Sequence, residues 1–237
     1  MAQEKSESIS GVFLSNMEPT EENIASIQQE SIDKSQTKQI ETRVKELLSQ
    51  PISEYGFREY KRSLKTHIMT SRFADHTYIQ NKRFRSLKNI KKQKIHAIYA
   101  SPYEITADIP KGHILYVLEM NNSQNKIMGI GKVYNVPRRR ENLVYDINNT
   151  GPYSFVTDYN KITYTGDERV DVEVMDEEEK RYIHMLEMLC FKGKDNLKRS
   201  QRITQFPLRR SYQLRNDFNL HEIIETIFEN HPPKSSI

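Results

Sequence analysis

The chain has 237 residues, 36 basic and 32 acidic side chains, a net charge of +4 and only 36% hydrophobic residues. Its longest apolar run, residues 114–118, is far shorter than the roughly 20 residues of a membrane span, and residues 1–10 lack the pattern of a secretory signal. The single cysteine, Cys190, excludes an intrachain disulfide. We therefore expect a reduced intracellular protein, nuclear or cytoplasmic, without a membrane partner.

The charge is segregated along the chain. Residues 1–57 hold 5 basic and 10 acidic side chains, a net charge of −5. Residues 58–94 hold 12 basic and 2 acidic side chains, a net charge of +10, whereas residues 95–237 carry −1. A strongly basic segment of this kind is typical of proteins that bind nucleic acid or an acidic surface. The alternative is a solvated helix face without a partner.

The first third of the chain divides into an acidic leader and a basic arm. Residues 1–36 are rich in Ser, Glu and Gln with few apolar residues, which predicts disorder. Residues 37–94 are predicted to be helical, because apolar residues recur at helical spacing. The first helix should end at Pro51, and two further helices should cover about 57–68 and 78–92. The apolar positions of the first two helices are Ile40, Val44, Leu47, Leu48, Phe57, Tyr60, Leu64 and Ile68.

From residue 95 the hydrophobic period changes from that of helices to that of strands. Short apolar and β-branched runs alternate with Gly, Pro and Asn turns, and two apolar-rich segments keep helical spacing. The predicted strands are 95–100, 113–120, 126–134, 153–157, 161–164, 169–175 and 203–208, and the predicted helices are 177–190 and 219–230. This pattern predicts an α+β domain over residues 95–230, followed by a tail at 231–237.

Two glycines interrupt the strand predicted at 126–134. Glycine inside a strand normally marks a bulge, a bend or a close approach of the backbone, and Gly129 and Gly131 lie on the same strand face. No helix follows them at the spacing of a phosphate-binding loop. We therefore interpret this motif as a curved strand and not as a nucleotide site.

Five segments of the carboxyl-terminal part occur in a recognisable order. They are residues 98–102 (Ile-Tyr-Ala-Ser-Pro), 109–116 (Ile-Pro-Lys-Gly-His-Ile-Leu-Tyr), 127–133 (Ile-Met-Gly-Ile-Gly-Lys-Val), 169–173 (Arg-Val-Asp-Val-Glu) and 197–204 (Leu-Lys-Arg-Ser-Gln-Arg-Ile-Thr). With Pro207, Leu208 and the closing helix at 219–230, this order resembles the PUA-like superfamily and, within it, EVE-type domains. The resemblance covers about residues 95–230. The segment 191–202 is also similar to uncharacterised proteins of large nucleocytoplasmic DNA viruses.

The resemblance implies a small curved β-barrel with flanking helices, whose pocket in many relatives holds a nucleobase flipped out of its stack. Such a pocket needs aromatic faces and polar groups for the Watson–Crick edge of the base. The candidate base-pocket residues are Tyr99, Ser101, Tyr103, Tyr116 and Asp171. The alternative is that these tyrosines are ordinary half-buried strand residues.

Basic side chains from three parts of the chain are predicted to contact phosphates, which provide affinity and salt dependence without sequence information. They come from the basic arm, from an arginine loop after the strand at 126–134, and from the segment after Phe191, where Gly193 allows a tight turn. The predicted residues are Arg58, Lys61, Arg62, Lys82, Arg83, Arg85, Arg138, Arg139, Arg140, Lys192, Lys194, Lys198, Arg199 and Arg202. Acidic runs at 167–168 and 176–179 are alternative partners of the last group within the protein.

The sequence contains no convincing catalytic or metal-binding constellation. The seven histidines have no HExxH spacing, and a single cysteine excludes a CxxC zinc site. Asp171, Glu173 and Lys180 are the residue types that metal-dependent nucleases use, but the lysine falls in a later helix than the carboxylates.

We therefore expect a non-enzymatic protein that binds RNA or DNA, without a cofactor or a metal. One alternative is an interaction module, of a viral or chromatin-associated assembly, that docks on an acidic protein partner. The third reading is the metal-dependent nuclease.

Overall fold

The computed structural model describes residues 21–90, 94–139, 162–200 and 202–233. The chain divides into two compact units, and the boundary between them in the sequence lies between Gln39 and Ile40. Within the described ranges it forms six α-helices, eight strands and one short 3-10 turn. The architecture is therefore mixed α and β, as the sequence predicts.

The helices and strands are numbered here in chain order. They are α1 (Glu21–Ser49), α2 (Glu54–Ser63), β1 (Thr66–Phe73), α3 (Asp75–Ile90), β2 (Ala97–Ser101), β3 (Ile114–Asn121), β4 (Lys126–Tyr134), β5 (Arg138–Arg139), β6 (Ile162–Gly166), β7 (Glu168–Asp171), the 3-10 turn (Val172–Val174), α4 (Glu177–Phe191), β8 (Thr204–Gln205), α5 (Leu208–Leu214) and α6 (Leu220–Asn230).

The strands form two sheets whose side chains share one hydrophobic core. The larger sheet has the strand order β7-β4-β3-β1-β8, and the smaller one has the order β2-β6-β5. Strand β1 is parallel to β3, with Thr66 opposite Ile114 and Phe73 opposite Asn121, whereas every other pairing is antiparallel. Among the described strands neither sheet closes on itself, so the β-barrel expected from the resemblance is not formed by these ranges.

The larger sheet separates two hydrophobic cores. On β3, Tyr116, Leu118 and Met120 face a core that includes apolar side chains of α1, α4 and α6. The alternate residues Leu115 and Val117 face the smaller sheet and pack with its side chains. This alternation follows from the two-residue period of a strand. Because both faces of β3 are covered, its sequence is an almost continuous apolar run.

The amino-terminal predictions need two corrections. Helix α1 begins at Glu21, so disorder over 21–36 is wrong; no Gly or Pro occurs between residues 21 and 50, and its Glu, Gln and Lys residues tolerate helix well. The other part of the predicted leader, residues 1–20, lies outside the described residues.

The predicted boundary between a helical arm and a separate domain at residue 95 is also wrong. Strand β1 lies between β3 and β8 in the larger sheet, and residues 40–237 form one compact unit. The helix predicted at about 57–68 therefore covers two different elements, the end of α2 and the beginning of β1. Five consecutive residues of β1, from His67 to Ser71, are buried, so the strand shows no alternation that distinguishes it from a helix.

The carboxyl-terminal predictions agree with the structure in most elements. Strand β4 has the predicted bounds, and α4 and α6 differ from prediction by one residue at one end. The strand predicted at 203–208 is only Thr204–Gln205, because Pro207 ends it and stands at the start of α5. The strand predicted at 153–157 lies outside the described residues.

Candidate nucleic-acid interface

The basic loop, residues 192–202 without Gln201, which lies outside the described residues, connects α4 to β8. Arg72 of β1 holds this loop: its guanidinium donates hydrogen bonds to the carbonyl of Leu197, to the carbonyl of Arg202 at 3.2 Å and to Thr204 Oγ1 at 2.8 Å. Burial lowers the pKa of Arg72 to about 10, and the group remains charged at neutral pH. The loop is therefore held in place by the partly buried guanidinium of Arg72.

Two further hydrogen bonds fix the loop to its neighbours. The Leu197 amide donates to the Cys190 carbonyl at 2.7 Å, and Asn122 Nδ2 donates to the Lys198 carbonyl at 3.0 Å. Asn122 belongs to the turn between β3 and β4. The backbone of the loop is consequently anchored to β1, to α4 and to this turn, and its charged side chains extend from an ordered frame.

Three cations of the basic loop have no carboxylate partner among the described residues. Lys194, Arg199 and Arg202 are exposed, and no carboxylate among the described residues lies within 4.0 Å of them. Lys192 is 3.5 Å from the Glu41 carboxylate. The Lys198 ammonium lies 5.9 Å above the centre of the Phe191 ring. The acidic runs at 167–168 and 176–179 therefore do not neutralise this group within the described ranges.

Helix α5 joins the basic loop to α2. Arg210 donates to the carbonyls of Leu189 at 2.7 Å and Asp195 at 2.9 Å, which ties the start of α5 to the loop. The adjacent Arg209 donates to Glu54 at 2.7 Å, and its guanidinium lies 5.0 Å from the centre of the Phe57 ring. Two basic segments that are about 130 residues apart in the sequence therefore adjoin the same short helix.

The predicted cations of α2 are exposed but partly paired. Arg62 donates to Glu59 at 2.8 Å, and Lys61 to Asp108 at 3.3 Å. Arg58 is exposed, and its charge contributes to lowering the pKa of Glu54, an effect that comes mainly from the hydrogen bond of Arg209. Exposed pairs of this kind contribute little stability, so a phosphate can replace the carboxylate at small cost.

Helix α3 separates its predicted cations into two environments. Lys82 and Arg83 are exposed, with no carboxylate within 4.0 Å among the described residues. Arg85 is buried; its Nη1 donates to the His96 carbonyl at 3.1 Å and lies 3.8 Å from Glu119 Oε1. The prediction that Arg85 contacts phosphate is therefore wrong, because its charge is used inside the protein.

The arginine loop is only partly described. Arg138 and Arg139 form β5 and are exposed, opposite Thr163 and Ile162 of β6. No carboxylate within 4.0 Å of either is found among the described residues. Arg140 lies outside the described residues.

The five candidate base-pocket residues do not converge on one cavity. Tyr99 is fully buried between the two sheets, whereas Tyr116 lies on the other side of the larger sheet, with its ring centre 5.3 Å from that of Phe228. Ser101 is buried and donates to the Tyr103 carbonyl at 2.7 Å, and the Tyr103 ring is exposed.

The last candidate, Asp171, is half-exposed and pairs with Arg169 at 2.6 Å. The base pocket assembled from the sequence is therefore wrong. A strand alternates its side chains between two faces, and the sequence does not show which faces of different strands meet.

Sequence reasoning missed a buried ionic network between the sheets. Glu119 is completely buried, and Arg169 donates to both of its oxygens, with Nη2 to Oε2 at 2.6 Å and Nε to Oε1 at 2.9 Å. Tyr99 Oη donates to Oε1 at 2.8 Å, and Tyr78 Oη accepts from Arg169 Nη2 at 3.1 Å. The available signal was Glu119 itself, a lone carboxylate within an apolar strand.

The charges of this network determine its protonation. Burial favours a protonated Glu119, but the positive charges of Arg169 and Arg85 outweigh it and lower the pKa of the carboxyl. Burial and the negative charge of Glu119 raise the pKa of Tyr99 well above its ordinary value. The network therefore consists of an ionised carboxylate, two guanidinium cations and two neutral phenols. These groups form hydrogen bonds and ion pairs with one another.

Gly129 and Gly131 make room for this network. A Cβ atom on Gly131 would lie 1.9 Å from Tyr99 Oη, and one on Gly129 would lie 2.5 Å from Arg169 Nη2. A glycine is therefore needed at each position because the side chain of Tyr99 or Arg169 packs against the strand backbone there. The motif is structural and belongs to the interior.

The described residues do not form a metal-binding cluster. No group of three or more His, Cys, Asp or Glu side chains in these ranges is arranged to hold a metal ion. Asp171 is occupied by Arg169, and Lys180 pairs with Glu177 at 2.7 Å. Burial raises the pKa of the Cys190 thiol to about 12, so it is not a reactive thiolate.

Comparison of the whole chain with protein-family models, curated proteins and solved structures finds no match. In the part of the chain that the structure describes, no helix has the length and apolar content needed to cross a membrane. The candidate site therefore consists of the anchored basic loop and the exposed arginines of α2, which both adjoin α5.

Proposed function

We propose that the protein binds nucleic acid through phosphate contacts and does not catalyse a reaction on it. The observation that supports this most is the basic loop, in which Lys194, Arg199 and Arg202 are exposed on an anchored backbone without carboxylate partners among the described residues. Cations held in this way are ready to pair with phosphates, which are the commonest contacts in protein–nucleic acid complexes.

Other cations extend the proposed surface. Arg58 and Arg62 of α2 adjoin the loop through α5, and Lys82 and Arg83 of α3 are exposed without acidic neighbours in the described ranges. The order of motifs that resembles PUA-like domains also favours a nucleic-acid partner. We propose a distant relation to that superfamily in which two packed sheets stand in place of a closed barrel.

Salt-dependent binding tests this function. We expect the full chain to bind labelled oligonucleotides in fluorescence anisotropy, with affinity falling as salt rises from about 50 to 200 mM, because phosphate contacts release counterions. Single- and double-stranded RNA and DNA should be compared in the same series. Absence of binding at low salt, or binding without salt dependence, would contradict the proposal.

A charge-reversal pair identifies the surface. Lys194→Glu with Arg199→Glu should weaken binding strongly and reduce the slope of log affinity against log salt by about 1.4 to 1.8, the value for two lost phosphate contacts. The matched control is Lys45→Glu with Lys111→Glu, two exposed lysines outside the proposed surface that also lack a described carboxylate partner. Equal losses in both pairs would show that net charge and not this surface determines binding.

A further inference from the structure

One face of α2 presents an exposed aromatic ring and two arginines. The side chain of Tyr55 is 77% exposed, the most exposed large hydrophobic residue within the described ranges. Arg58 and Arg62 follow at three and seven residues, which places all three side chains on the same side of a helix. Both arginines are exposed.

The opposite face of α2 is fixed to α5, so the helix cannot roll to bury this tyrosine. The rings of Phe57 and Tyr60 pack on Tyr212, with ring centres 5.6 and 5.5 Å apart. Gly56 lies so close to the same ring that a Cβ atom there would be 2.3 Å from Tyr212 Oη. Ser53 caps the helix by accepting a hydrogen bond from the Gly56 amide at 3.2 Å.

The acidic residues of α2 are already engaged. Glu54 accepts from Arg209 at 2.7 Å, and Glu59 accepts from Arg62 at 2.8 Å. Arg209 brings a third guanidinium to this end of the helix, since it also lies over the Phe57 ring. Tyr55 therefore shares its face of α2 with Arg58 and Arg62, and of these two Arg58 has no carboxylate within 4.0 Å among the described residues.

We propose that this face binds a single-stranded nucleic acid, with an unpaired base stacked on Tyr55 and neighbouring phosphates on Arg58 and Arg62. The inference rests on the proposed function and specifies its substrate class. Stacking on an aromatic ring requires a free base face, which a duplex hides within its own stack, whereas guanidinium groups bind phosphates of either form. An aromatic platform beside cations therefore discriminates in favour of the single strand.

The absence of tryptophan from the chain provides a direct probe. Tyr55→Trp introduces a single indole at the stacking position, and its fluorescence should be quenched when a single-stranded oligonucleotide saturates the protein, because the base stacks on the indole. A duplex of the same length at saturation should quench it much less. Emission that is unchanged by a saturating single strand would overturn the inference.

Affinity measurements separate stacking from charge. Tyr55→Ala should lower affinity for the single strand about tenfold or more while leaving the salt slope unchanged. The control Tyr55→Phe keeps the ring and should bind as the wild type does. Arg58→Gln should instead reduce the salt slope by about 0.7, the value for one phosphate contact on a single strand. Thermal unfolding of each variant should match that of the wild type, since these side chains are exposed.

The outcomes distinguish this inference from the proposed function. If the wild type shows no salt-dependent binding to any nucleic acid, both fail. If binding persists but Tyr55→Ala has wild-type affinity for the single strand, the stacking inference alone is overturned. If polyglutamate quenches the Tyr55→Trp protein as strongly as the single strand does, the face recognises acidic polymers in general and the inference is likewise overturned.

Discussion

At the scale of single residues, Glu119 determines how the interior between the sheets is built. It is fully buried in an apolar strand. Its charge is stabilised there because Arg169 donates hydrogen bonds to it from Nε and Nη2 and Tyr99 donates one from its hydroxyl. A buried charge without partners is strongly unfavourable, so each member of the network depends on the others. Gly129 and Gly131 of β4 are needed for the same network, because a larger residue at either position would collide with Arg169 or Tyr99.

Glu119→Gln should therefore destabilise the protein by roughly 3–5 kcal/mol, since it leaves Arg85 buried without its carboxylate and leaves Arg169 with only the half-exposed Asp171 as an anionic partner. Urea unfolding measures this loss. The control is Glu168→Gln, which removes the partner of Lys132 in a more exposed pair and should cost less than about 1 kcal/mol. Similar losses in the two variants would show that the buried network is not special.

Gly131→Ala should cost about 1–3 kcal/mol, because the added methyl group collides with Tyr99 Oη. In a Tyr99→Phe background the same substitution should cost less, since the colliding oxygen is absent. A double-mutant cycle by urea unfolding gives the coupling between the two positions. Additive effects would contradict the contact between Gly131 and the tyrosine hydroxyl.

At the scale of elements, β1 connects the interior to the surface. Its position between β3 and β8 places Arg72 beside the basic loop. Helix α5, which follows β8, contacts both the loop and α2. The local spacing of apolar residues favoured a helix through Ile68, but pairing with β3 and β8 determines the strand.

Arg72→Met should loosen the basic loop without removing an exposed charge. Three hydrogen bonds to residues 197–204 are lost, so amide hydrogen exchange in this segment should accelerate and nucleic-acid affinity should fall. Lys45→Met is the matched control for the loss of one positive charge. Unchanged exchange in the loop would show that Arg72 does not hold it.

At the scale of the whole molecule, histidine burial makes stability depend on pH. Burial, together with the charge of His67, lowers the pKa of His221 to about 4, and burial and His113 lower the pKa of His67. Both imidazoles are neutral in the folded protein at neutral pH, whereas the unfolded chain takes up protons near pH 6.5. Their contribution to stability is therefore complete above about pH 6.5 and is lost as the pH falls toward 4.

Between about pH 7 and pH 5 the free energy of unfolding should fall by roughly 1–2 kcal/mol through His221. Denaturant unfolding across this range measures the slope. The variant His221→Gln, which has no group that titrates there, should show a flatter profile. An equal slope in wild type and variant would assign the pH dependence to other groups.

Several features follow from the sequence alone because they depend on local patterns. The strand β4, the helices α4 and α6, and the mixed α and β class are predicted from spacing and turn residues. The segregation of charge is also a property of the sequence, and it indicates a polyanionic partner before any fold is known.

The tertiary structure determined which segments that are distant in the sequence lie together in space. It brought the basic loop and α2 into contact with α5, buried Arg85, and placed Tyr99 and Tyr116 in different cores. Periodicity reports which side chains of one element share a face, but strand pairing and sheet packing determine which faces meet, and these depend on long-range contacts. The sequence by itself therefore predicts a polyanionic partner, and the fold determines which cations of the described ranges are exposed without a carboxylate partner there.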